Sequence, residues 1–165
     1  MRTLVFDTSP LSCFARSQQL ALLEKMTKGY DRVTTSAVMH EIGNGIHLHP
    51  ELEFLLSLQW LTVEKVDGLK ELSLFAEYAR RLGAGPRNVG EASVLAWTEA
   101  QGAIAVIDDQ VAVQCARERD VEVVRTLALV ARSIRMGVLD RSDAGRVIDD
   151  LISGGARFPC TGAQY

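Results

Sequence analysis

The 165-residue sequence predicts an α/β fold with a central parallel sheet of about four to five strands flanked by helices. Short apolar runs alternate with amphipathic stretches along the whole chain, and each return of a parallel strand needs a helical crossover. One run, 103–107, is apolar without alternation, as a strand buried on both faces should be. The 47% hydrophobic and 24% charged fractions suit a soluble globular unit able to bury its own core. That unit is expected over 1–156 as one domain, with 157–165 as a flexible tail because periodicity is lost there.

Residues 3–6 form the first apolar run, followed by a loop Asp7-Thr-Ser-Pro10 and helical stretches that end near Lys28-Gly29. A β-prone run, 31–35, comes next, and Ser36 is the expected N-cap of a short helix that carries Glu41. Pro50 suits a first helical turn, the helix continues over 51–57, and 60–64 alternates as a half-buried strand. From Asp67, the spacing of Leu69, Leu72, Phe75, Ala76 and Ala79 marks an amphipathic helix stopped by Gly83, Gly85 and Pro86. Asn88 is the expected cap of the next helix, which presents Val89, Ala92, Leu95 and Ala96 and ends at Gly102. The buried strand 103–107, a helix over 110–118, a strand over 121–124 and helices over 126–136 and 142–152 complete the order.

Several function classes are excluded. No apolar run approaches the roughly 20 residues of a membrane span, and the N-terminal one meets Asp7 too soon for a signal-peptide core, so a cytosolic location is expected. Cys13, Cys115 and Cys160 have no CxxC spacing, which argues for reduced thiols and against a disulfide framework or structural zinc. A net charge of −3 lacks the basic excess of a purely electrostatic nucleic-acid binder. His40, His47 and His49 have no second His/Cys cluster with which to bind zinc, and Trp60 and Trp97 sit in apolar periodic segments where core packing is expected.

Ligands of open α/β sheets bind beyond the carboxyl ends of the strands. Asp7 follows the first strand there and Asp108-Asp109 the fourth, while Glu41 and Glu91 lie on helices able to reach the same edge. Each acid also has an ordinary use, as a turn or helix cap (Asp7, Asp108, Asp109), as a macrodipole partner (Glu91) or as a solvated helix residue (Glu41). Their coincidence at one edge favours a shared site. Such a cluster repels itself unless it is neutralised, and hard oxygen ligands suit Mg²⁺ or Mn²⁺.

Taken in order, Val5-Phe-Asp7-Thr-Ser9-Pro-Leu11, Thr35-Ser-Ala-Val-Met-His-Glu41, Gly90-Glu91-Ala-Ser93 and Ile107-Asp108-Asp109 resemble the acidic motifs of PIN-domain proteins, the family of VapC-type toxin ribonucleases. The stretch 125–139, opening Arg125-Thr-Leu, is similar to a segment of one PIN-like branch known as predicted nucleic-acid-binding proteins. The resemblance spans about 2–140. It aligns Asp109 with the acidic position of the fourth strand, leaving Asp108 where a neutral residue is usual, and Glu91 stands where many members have Asp.

The resemblance implies a metal-dependent ribonuclease. Asp7, Glu41, Glu91 and Asp109, with Asp108 as a further ligand, would hold one or two Mg²⁺ or Mn²⁺ ions, and Ser9 would support a carboxylate from behind. RNA phosphates would meet Arg16, Arg87 and Arg117. The implied partners are an RNA substrate, an antitoxin protein and a second copy of the chain bound through the apolar stretch 20–23. Two alternatives stay open: a PIN-like domain that binds nucleic acid or protein without cutting, and a haloacid-dehalogenase-like phosphatase with Asp7 as nucleophile, although that family has Asp where this chain has Ser9.

Overall fold

The apolar runs assemble into one wholly parallel five-stranded sheet, with β1 (Thr3–Phe6) at its centre. The computed structural model describes residues 1–83 and 85–165. With β2 (Asp31–Thr35), β3 (Thr62–Glu64), β4 (Ile104–Val106) and β5 (Val123–Val124), the order is β3-β2-β1-β4-β5. Leu4, Val5, Phe6 and Ile104 to Ile107 are buried, because both faces of the central strands are covered by helices.

The crossovers are helical throughout. α1 (Thr8–Arg16) and α2 (Leu20–Met26) link β1 to β2, while α3 (Ser36–Gly45) and a 3₁₀ stretch (Pro50–Ser57) link β2 to β3. The α4 (Leu69–Leu82) and α5 (Pro86–Gln101) hairpin leads to β4, α6 (Gln110–Glu118) leads to β5, and α7 (Thr126–Arg135) and α8 (Arg141–Ser153) follow. Tyr78 on α4 donates its hydroxyl proton to Glu99 on α5 (2.7 Å), and Arg119, just past α6, grips the same carboxylate at 2.9 and 3.0 Å, tying three helices together.

Several local expectations are revised. Asp7-Thr-Ser-Pro10 is the first turn of α1 rather than a loop, since Pro10 falls where a helix has no use for the missing N–H. Thr35, not Ser36, caps α3 by accepting from the Val38 N–H at 3.2 Å. Asn88 lies inside α5 and reaches back to the carbonyls of Leu82 and Gly83 at 2.9 and 3.0 Å, so it closes α4 instead of opening α5. Residues 51–57 are 3₁₀ rather than α-helical.

The larger differences concern surfaces. In the stretch proposed to join two copies, Leu23 is buried and Leu20 and Leu22 pack against the core, so its apolar side faces inward. Trp60 and Trp97 are half-buried and line a cavity rather than filling the core. The expected tail is ordered by specific contacts. A 3₁₀ turn (Gly162–Gln164) capped by Thr161 sits on α8, where the Gly162 N–H donates to Asp149 at 2.8 Å, and the Tyr165 hydroxyl donates to the Leu127 carbonyl at 3.1 Å. Cys13 and Cys115 are buried, Cys160 is partly exposed, and all three are free thiols.

Candidate carboxylate site

From β1 the chain moves outward through β2 to β3, then returns to the other side of β1 as β4. That reversal opens a crevice at the carboxyl ends of β1 and β4. Phe6 pairs with Val106, and the Asp7 N–H donates to the Val106 carbonyl at 3.1 Å, so Asp7 enters the crevice directly beside the segment that leads to Asp108.

Asp7 is 3% exposed, and its Oδ1 is buried without a hydrogen-bond partner. Burial, and after it the charge of Glu91, then of Glu41 and Asp108, push its carboxyl up to about 8, with the Thr8 backbone offsetting part of the rise. These three acids therefore lie close enough to act on Asp7. Burial, helped by the Asp108 charge, likewise pushes the Cys13 thiol on α1 up to about 12.

Each acid is held by its own device. Glu41 accepts from the Thr8 hydroxyl at 2.9 Å, and Gly90 lets it lie against α5, since a Cβ there would stand 2.7 Å from its Oε2. Asp108 accepts from the Thr126 N–H at 2.9 Å and the Thr126 hydroxyl at 2.6 Å, at the start of α7. A chain of hydroxyls braces the helices that carry Glu41 and Glu91. Ser93 donates to the Gly90 carbonyl at 2.6 Å, which leaves Thr35 to donate to Ser93 at 2.7 Å while accepting from Val38.

The neighbouring aspartates thus divide their roles differently from the motif alignment. Asp109 is exposed and caps α6 by accepting from the Ala112 N–H at 3.0 Å, whereas the carboxylate acting on Asp7 is that of Asp108. Adjacent residues leaving a strand face opposite ways, so only one of them can turn toward β1. Ser9 is exposed, and Thr8 makes the carboxylate contact expected of it.

Of the arginines, Arg16 ends α1 against Gly155 and Arg117 lies near the exposed end of α6. Both are about 10 Å or more along helices whose first turns border the acids. The Arg87 side chain lies outside the described residues. The cation beside the acids is one the sequence reading passed over: Arg125 donates to the Asp108 carbonyl at 3.4 Å and to Gln110. Thr8, Thr126, Thr35 and Ser93 were also missed, although all four fall within the quoted motifs.

The donor set fits a hard divalent cation in chemistry, being all carboxylate, crowded with like charge, and holding one buried oxygen that nothing satisfies. Among the described residues no three His, Cys, Asp or Glu side chains are already drawn together around one point, so a cation would have to gather them.

The family model described as PIN domain matches residues 3–162. The chain is a PIN-domain protein. Fourteen chains of solved structures match this PIN domain. One belongs to VapBC2 from Rickettsia felis, in a crystal structure bound to a DNA fragment from the VapBC2 promoter. It is 14% identical, with a TM-score of 0.52, and the match covers 74% of the present PIN domain and 98% of that chain, a likeness of fold. Comparison with curated proteins finds no match. No helix among the described residues is long and apolar enough to cross a membrane.

Proposed function

We propose that this PIN-domain protein is an Mg²⁺- or Mn²⁺-dependent endoribonuclease that hydrolyses RNA phosphodiester bonds at the carboxyl ends of β1 and β4. The observation that carries the reading is Asp7: a buried carboxylate with an unsatisfied oxygen, surrounded by three further acids, is costly to the fold and useful to a cation-dependent reaction. Asp7, Asp108, Glu41 and Glu91 would hold one or two ions. When bound, such ions acidify water and neutralise charge building on the phosphate.

The protein's own groups supply placement. Thr126 keeps both Asp108 oxygens aimed by two short hydrogen bonds, and Thr8 does the same for one oxygen of Glu41. Arg125, anchored to the Asp108 carbonyl, offers its remaining N–H donors to an RNA phosphate beside the acids. By analogy with VapBC2, an antitoxin protein is proposed as the partner that covers this edge, and cytoplasmic RNA as the target.

The test is cleavage of labelled single-stranded RNA by wild type and Asp7→Asn with Mn²⁺, Mg²⁺ or EDTA. Cutting that needs the cation and is lost in the folded variant is expected. A folded wild type that binds RNA but never cuts it would replace this reading with a binding-only PIN domain, as the separated carboxylates would then imply.

A further inference from the structure

Away from the carboxylates, a cavity of about 330 Å³ opens beside the starts of β1 and β2 and runs along β3, within the range of small-ligand pockets. Trp60 and Trp97 form its aromatic walls with Tyr30, Arg32 supplies a cation, and Asp31 and Glu64 supply two carboxylates. This is an unusual lining for a packing defect, because indole rings, a guanidinium and two acids meet in one hollow.

The lining selects its ligand. Indole walls favour a flat aromatic ring, and stacking a base on an aromatic side chain is worth roughly 1–3 kcal/mol. Two carboxylates against one guanidinium disfavour a phosphate, so a base must be recognised by its edge. Among bases, guanine alone presents two adjacent donors, N1–H and the N2 amino group, to which a carboxylate is complementary, while its O6 and N7 accept from arginine. Arg32 has donors to spare. Its guanidinium rests over Trp60 at 5.0 Å, Nη1 donates to the Glu24 carbonyl at 3.2 Å, and Nε is buried without an acceptor. Adenine would turn its N1 acceptor toward a carboxylate and be repelled.

We infer that this cavity is a guanine-binding site, separate from the carboxylate edge and independent of whether that edge cuts RNA. The guanine comes either from a free nucleoside or from a base in a strand.

Both tryptophans of the chain line the cavity, so intrinsic fluorescence reports on it directly. Titrating the full-length protein with guanosine should quench emission saturably, with adenosine at least tenfold weaker and ribose 5-phosphate without effect. Combining Asp31→Asn with Glu64→Gln should weaken guanosine at least tenfold and narrow the guanosine-to-adenosine ratio, with an unchanged far-ultraviolet circular dichroism spectrum. Tighter binding of the trinucleotide ApGpA than of guanosine assigns the site to a strand, and weaker binding assigns it to the free nucleoside. Absence of saturable quenching by guanosine, equal response to adenosine, or wild-type affinity in the folded double variant would overturn the proposal.

Discussion

Asp7 places a charged group where folding disfavours charge. Its carboxyl moves from 3.8 to about 8, so between those values the folded chain holds a proton that the unfolded chain releases. In metal-free protein this group's contribution therefore falls as pH rises from about 4 to 8, by up to about 1.4 kcal/mol per pH unit. Asp7→Asn should flatten that slope and raise the melting temperature at pH 8 by several degrees in EDTA; a lower melting temperature there would contradict the geometry. Asp108 and Asp109 separate in a similar way. Asp109→Ala removes the cap on the Ala112 N–H and should cost about 1 kcal/mol in urea unfolding, while the melting-temperature rise on adding Mn²⁺ is kept. Asp108→Asn should lose that rise. The sequence could not assign the pair, because beyond the last residue of a strand no alternation survives to say which neighbour turns toward β1. Asp7 was legible because a single acid closes its run.

Among the elements, α3 and α5 are held by hydroxyls and by the absence of a side chain. Gly90 stands in α5 where alanine would favour the helix by as much as about 1 kcal/mol, yet its Cβ would meet Glu41 Oε2 at 2.7 Å. A carboxylate at the end of a flexible side chain can move aside. Gly90→Ala should therefore leave urea stability equal or higher while weakening the Mn²⁺-induced rise in melting temperature, and loss of stability without loss of the cation response would refute this account. Helices and strands were readable in order because burial writes periods of 3.6 and 2 into a chain. Their junctions were not: Thr35 against Ser36, and Asn88 turned back to α4, depend on which polar side chain finds a backbone partner first.

At the level of the whole molecule, the C-terminal segment joins α8 to the start of α7. Gly162 packs on Gly145 so closely that neither tolerates a Cβ, and Tyr165 reaches the carbonyl of Leu127, the residue after Thr126. Removing 157–165 should lower the melting temperature by several degrees and expose α8 to limited proteolysis; an unchanged melting temperature would return the segment to the role of a loose tail. Nothing periodic announced this segment, since its contacts come from glycines and single polar groups. The sheet has a further consequence. Its two edges are its shortest strands, β3 with three residues and β5 with two. An incoming strand would find too few rungs to build a ladder. Assembly with another chain must therefore run through helices and side chains, and a partner that adds its own strand to this sheet is the wrong kind of partner to look for.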